Sequence, residues 1–366
     1  IQGMGNVGSV TAKLLVKAPG LVAPDFTWET VTQMDFGFDA SFLNNRLTGT
    51  FDWYRRNTKD MLVAGATLPA TLGASVPKSN SADMKTIGWE LSLGWNDRLE
   101  NGFSYWVKGV LSDYQATITK YAGNDAGFYS QSDGDGKYYV GQKIGEIWGY
   151  HSNGLFQSDD EAATIDQSEL YAGKWGAGDV KYEDLDNDGK ITKGEETIYN
   201  PGDKSIIGNK TPRYQFGITV GFDYKNFDFE MFWQGTGKRD YMLSGAQFWG
   251  FTSQWDVPYT PALDYWTETN TDAYFPRPGW QNGGNRVTSD RYLQSAAYGR
   301  LKNLTVGYTI PKNLTTKWGI SRLRLYVTGE NLLTITPLND AFDPETLGGM
   351  TYPINRKVAI GLNLTL

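Results

Sequence analysis

Gln33-Met34-Asp35-Phe36-Gly37-Phe38-Asp39-Ala40-Ser41-Phe42 alternates without a break. Met34, Phe36, Phe38, Ala40 and Phe42 share one side, and Gln33, Asp35, Gly37, Asp39 and Ser41 the other. Successive side chains of a strand point to opposite faces, so this run reads as a β-strand with one apolar and one polar face. A turn near Asn44-Asn45 leads into a return run with Leu47, Gly49, Phe51 and Trp53 on one face. Its other face, Thr48, Thr50, Asp52, Tyr54 and Arg56, suits a wet lumen and not a packed core.

The same pattern recurs along the chain. Trp89, Leu91, Leu93 and Trp95 pass through the short turn 97–102 to Phe103, Tyr105, Val107, Gly109 and Leu111. Tyr214, Phe216, Ile218, Val220, Phe222 and Tyr224 turn at Lys225-Asn226 into Phe227, Phe229, Met231 and Trp233. A fourth hairpin joins the strand ending near Ile310 to Leu323, Leu325 and Val327. The last strand sets Val358, Ile360, Leu362, Leu364 and Leu366 against Ala359, Gly361, Asn363 and Thr365.

About nine strands result. Short turns at one end alternate with long, polar, aromatic-rich connections at the other, roughly 61–85, 122–211, 240–290 and 334–352, the asymmetry of periplasmic turns and extracellular loops. Soluble sandwich strands run about 5 or 6 residues with short loops and do not match this pattern. The expected fold is therefore all-β: the C-terminal part of a large antiparallel transmembrane β-barrel over residues 29–366, with 1–28 an N-terminal segment of unassigned fold.

Composition agrees. The 366 residues hold 43 Gly, 22 Tyr, 17 Phe and 13 Trp, and no run approaches the ~20 apolar residues of a spanning helix. A barrel strand needs only about 9 to 11 residues and alternates, so the negative mean hydropathy does not argue against a membrane. A net charge of −7 speaks against a nucleic-acid partner, which needs clustered Lys and Arg. There is no cysteine, and His151 is the single histidine, so thiolate and imidazole metal sites are not expected. The chain opens on Ile1-Gln2-Gly3 with no signal-peptide pattern, which suggests a processed or truncated terminus.

Several segments resemble the SusC/RagA-type TonB-dependent transporters. These are Tyr54-Arg55-Arg56-Asn57-Thr58-Lys59-Asp60-Met61-Leu62, Gly88-Trp89-Glu90-Leu91-Ser92-Leu93, and Gly178-Asp179-Val180-Lys181-Tyr182 running to Asp188-Gly189. Tyr298-Gly299-Arg300-Leu301-Lys302-Asn303-Leu304, Gly329-Glu330-Asn331-Leu332-Leu333-Thr334 and Tyr352-Pro353-Ile354 complete the series in the family's order. The resemblance implies a barrel of about 22 strands with a plugged lumen, in the outer membrane of a Gram-negative bacterium. It also implies TonB-driven import of oligosaccharides or peptides under a SusD-like surface lipoprotein, and no enzymatic activity. The plug, the TonB-contacting segment and the earlier strands are absent from this sequence, and Leu366 stands where such barrels often end in an aromatic residue.

Four sets of residues could carry chemistry. Asp184, Asp186, Asp188, Gly189 and Glu195 fit D-x-D-x-D-G-x₅-E, a spacing that places carboxylates around Ca²⁺, with the Lys190 carbonyl and Thr192 completing the shell. With no flanking helix pair the reading is a structural clip; the alternative is a solvated acidic tip. Gly3, Gly5 and Gly8 form G-x-G-x-x-G and would suggest an NAD-binding oxidoreductase, but no strand precedes and no βαβ unit follows.

The third set is aromatic. Phe248, Trp249, Phe251, Trp255, Tyr259, Tyr265, Trp266 and Trp280, with Tyr274 and Phe275, crowd one connection. Such rings can stack on sugars or grip peptides, or pack the loop upon itself. Asp35, Asp39, Asp52, Arg56, Glu90, Lys108, Asp223, Glu230 and Arg324 fall on polar strand faces and could line a solute path or meet the plug. Trp53, Trp89, Trp95, Tyr105, Tyr224 and Trp233 suit the membrane interface, where amphipathic rings settle. A structural or adhesive barrel is the alternative function.

Overall fold

The computed structural model describes residues 21–23, 26–64, 77–124, 126–128, 138–171, 174–279, 282–347, 352 and 354–366. Gly3, Gly5 and Gly8 lie outside them. Strands β1 (Thr30–Phe42), β2 (Leu47–Ala64), β3 (Lys78–Arg98) and β4 (Ser104–Tyr121) come first. The next connection carries β5 (Glu146–Tyr150), β6 (Ser152–Leu155), β7 (Val180–Tyr182) and β8 (Lys204–Asn209). Then follow β9 (Arg213–Tyr224), β10 (Phe227–Lys238), β11 (Asp240–Met242), β12 (Leu293–Ser295), β13 (Tyr298–Thr309), β14 (Arg322–Ile335) and β15 (Lys357–Thr365).

Nine of these form one antiparallel sheet in the order β1-β2-β3-β4-β9-β10-β13-β14-β15, so each strand lies beside its neighbours in the chain. Asp35 pairs with Tyr54, Tyr54 with Gly88 and Gly88 with Tyr114, so the polar face continues from strand to strand. At the far end Asp228 pairs with Gly307, Gly307 with Tyr326 and Tyr326 with Gly361. A one-residue slip anywhere would turn an apolar row into the lumen, so alternation itself fixes the register.

Glycines on the polar face have a packing reason. Tyr54 pairs with Gly88, Trp106 with Gly221 and Tyr326 with Gly361. A Cβ at any of these glycines would meet the ring of its partner. Each ring lies over the bare backbone of the next strand, which fills the gap that glycine leaves.

β2 and β3 run further than the alternation predicts. They leave a connection of 65–77 where 61–85 was expected. Bulges between Thr58 and Met61 and again before Leu62 break the period-2 pattern, and strand ends beyond the bilayer need no apolar face. The turn after Ile310 holds two short helical turns over Lys312–Trp318.

The main hydrophobic core is not in the sheet. It gathers Tyr150, Leu155, Tyr182, Phe248, Trp249, Trp266, Phe275, Tyr292, Leu338 and Phe342 from three long connections. β5 pairs with β8, β6 with β7, and β11 with β12 beside it. The connections therefore fold together as a packed cap over one end of the barrel wall.

Candidate functional site

The cap sorts the aromatic candidates. Phe248, Trp249 and Trp266 are 1%, 9% and 8% exposed. They are core residues: Phe248 packs edge-on against Phe275 at 5.1 Å and Trp249 against Tyr292 at 4.6 Å. A ring without an open face cannot stack on a solute, which corrects the expectation for these three. Phe251 and Tyr265 line a cleft of about 20 Å³ together with Arg277 and Arg286, space for a water and not for a sugar ring. Trp255, 83% exposed, and the exposed Tyr259 offer open faces. Trp280 lies outside the described residues.

The cap is pinned by a carboxylate that the sequence reading did not single out. Asp179 is fully buried and accepts hydrogen bonds from Gly176 N (2.9 Å), Arg277 Nη2 (3.0 Å), Asn282 Nδ2 (3.1 Å) and Asn285 Nδ2 (2.9 Å). Asn285 Oδ1 in turn accepts from Val180 N at 2.8 Å and the Tyr171 hydroxyl at 2.7 Å. Gly178, at φ +83°, has Trp266 and the Arg277 stem where a side chain would stand. The Gly178-Asp179-Val180-Lys181-Tyr182 segment is thus a joint between two connections about a hundred positions apart. Its only sequence signal was the family resemblance.

The acidic loop keeps three of its carboxylates together. Asp184, Asp186 and Asp188 each place an oxygen within 4.8 Å of the others. Asp184 accepts from Asn187 N at 2.7 Å and Gly189 N at 2.7 Å, and Asp188 accepts from Lys190 N at 2.8 Å. Buried Asp203 ties both ends of the loop, accepting from Leu185 N and Thr192 N at 2.7 Å each. Burial pushes the Asp203 carboxyl above its usual range, against the pull of those two hydrogen bonds. Gly189 O and Ile191 N, on either side of Lys190, bond to Asp166. Glu195 is exposed and is not in the cluster of three.

The polar wall carries the remaining candidates. Asp35, Asp39, Asp52, Glu90, Lys108, Asp223 and Glu230 are exposed on it. Thr50 donates to Asp39 at 2.7 Å, and Arg56 Nε donates to Gln33 Oε1 at 2.9 Å. Arg324 forms a two-point ion pair with Asp228, its Nε at 2.9 Å. Near the short turn at Lys225-Asn226 the wall hollows into a cavity of about 590 Å³ lined by Trp106, Asp223, Asp228, Glu230, Arg322 and Arg324.

Comparison with known proteins accounts for the chain almost end to end. Residues 5–332 match the family described as TonB dependent receptor-like, beta-barrel. That match begins inside the Gly3 to Gly8 run and leaves no room for a separate nucleotide-binding unit after it. TonB-dependent receptor P3 of Formosa agariphila is 30% identical over 94% of this chain and 35% of its own length. TonB-dependent receptor SusC of Bacteroides thetaiotaomicron is 26% identical over 92% and 32%. The RagAB peptide importer in its open-open state superposes at a TM-score of 0.71 with 23% identity, over 94% of this chain and 35% of that one. The chain spans about a third of the length of these relatives, and it belongs to the TonB-dependent receptor β-barrel family.

Proposed function

We propose that this chain forms the C-terminal barrel wall and part of the extracellular cap of an outer-membrane importer of oligosaccharides or peptides. In this reading it works under a SusD-like lipoprotein lid and is driven through TonB. The observation that carries it is the pairing of one continuous two-faced sheet with a folded cap at its long-connection end. Such a wall separates lipid from an aqueous lumen, and such a cap stands where solute arrives. Within the cap, Trp255 and Tyr259 are the rings placed to meet a sugar or a peptide side chain. The acidic loop is proposed to bind Ca²⁺ through Asp184, Asp186 and Asp188 with the Lys190 carbonyl, as a structural clip that keeps the cap in shape, and Glu195 would join only by turning inward. No residue is assigned a catalytic role.

The test is to purify the complete transporter from detergent-solubilised outer membranes, identify its co-purifying chains by mass spectrometry, and analyse any bound solute. A SusD-like lipoprotein with glycan or peptide is the expected result. A lone barrel without lid or plug would turn the reading toward an adhesive or structural barrel. Trp255→Ala should then weaken solute capture by roughly tenfold or less, the scale of one ring contact, and unchanged uptake would remove that ring from the site.

A further inference from the structure

The outward face of the sheet changes character at one height. On β1, β2 and β3 the outward row is apolar as far as Met34, Trp53 and Ile87, and Trp53 pairs directly with Trp89. Paired indoles at the end of an apolar band mark the level of the lipid headgroups. The next outward positions toward the cap are Arg55 on β2, opposite Ile87, and Lys85 on β3, opposite Asn57. Lys59 follows on β2, opposite Thr30. Lys85 therefore lies diagonally across from Arg55, about 7 to 8 Å away by sheet geometry.

These cations have no counter-charge paired with them among the described residues. Arg55 and Lys59 are exposed, and none of the three forms an ion pair among the described residues. Arg55 Nε only touches its neighbour, Asn57 Oδ1, at 3.3 Å. Asp83, further along the row, accepts the Asp60 N–H at 3.0 Å. Arg213 shows the contrast: it is neutralised by Asp113, which pairs with Trp89. On the lipid side a cation is costly unless its long stem carries it to an anionic headgroup.

We propose that Arg55, Lys59 and Lys85 form an exterior site for the phosphate headgroup of an outer-leaflet lipid. The proposal rests on the outer-membrane reading above. It commits to lipid because the three cations continue directly from the apolar, indole-edged band, so a bound phosphate would have acyl chains lying beside Met34, Trp53 and Ile87.

The test uses the complete transporter extracted from outer membranes and native mass spectrometry of its retained phospholipid and phosphorylated glycolipid. The Arg55→Ser/Lys59→Ser/Lys85→Ser variant should lose that lipid, by about fivefold per cation removed. Arg322→Ser, a lumen-wall change at the opposite end of the barrel, should retain it. A triple variant that keeps the wild-type lipid while remaining a heat-modifiable barrel in the outer-membrane fraction overturns the site. Binding of inorganic phosphate to the wild type without retained lipid would also overturn the lipid assignment. A wild type absent from the outer-membrane fraction would instead bring down the outer-membrane reading, and this site with it.

Discussion

Asp179 is fully buried among its donors. Four donors converge on it from both sides of the joint, and removing the carboxylate would strand two of them, Gly176 N and Asn285 Nδ2, in the interior, while Asn282 is partly exposed and can rehydrate. Arg277 is partly exposed and can rehydrate, so Asp179→Ala should cost the cap about 3 kcal/mol, the low end for breaking a buried pair. Hydrogen exchange on the intact transporter should show amides near 176–180 and 282–285 losing protection while the strands keep theirs. Protection unchanged at the joint would show that the cap is held elsewhere.

Asp184 presents a different balance. Slight burial raises its pKa, but the Gly189, Asn187 and Asp188 N–H groups outweigh this and bring it below the usual value. A carboxyl lowered in the folded state contributes stability in full above the unfolded aspartate pKa of about 3.9 and loses it as pH falls through the folded value. Loop order should therefore hold at neutral pH and fail only in strong acid, in parallel with Ca²⁺ affinity, because protonated carboxylates are poor ligands. Calcium titration of the transporter should show a site in the range of about 10⁻⁴ to 10⁻³ M typical of extracellular modules, lost in Asp186→Ala and Asp188→Ala. Equal binding in wild type and variants would remove Ca²⁺ from this loop.

At the scale of elements, the ring-over-glycine pairs make a prediction that hydrophobicity alone would not. Gly221→Ala adds one methyl to an open, polar wall, yet that methyl would meet the Trp106 ring. Displacing the ring should destabilise the barrel by about 1–3 kcal/mol. Alanine at Gly109, where a Cβ would meet nothing, should be nearly neutral. Heat-modified gel mobility of outer-membrane preparations compares the two, and equal unfolding temperatures would count against the packing argument. The main strands were legible because the bilayer imposes strict alternation on them, as Met34 through Phe42 and Val358 through Leu364 show. The cap was not. Its strands, such as Val180–Tyr182 and Leu293–Ser295, are three residues long, and a pairing of that length carries no period. The same blindness affected the site: Phe248 and Trp255 sit in one aromatic run, and only tertiary packing separates a core ring from an open one.

At the scale of the whole molecule, strand parity limits what this chain can build. In an up-and-down antiparallel sheet of nine strands, the first and last run in the same direction. Joining β1 to β15 would require a parallel pair, which no hairpin-connected barrel of this type contains. Closure with antiparallel pairs throughout needs an odd number of further strands between the two edges, as a family barrel of about 22 strands would supply. Until then β1 and β15 expose unpaired backbone beside apolar rows such as Phe36, Phe38, Ile360 and Leu362, a combination that invites edge-to-edge association. Residues 29–366 produced alone and refolded in detergent should therefore associate through these edges and show no heat-modifiable band, whereas the complete transporter should show one. A compact, heat-modifiable monomer from residues 29–366 would mean that the sheet can close on itself, and the assignment of this chain to one sector of a larger wall would have to be abandoned.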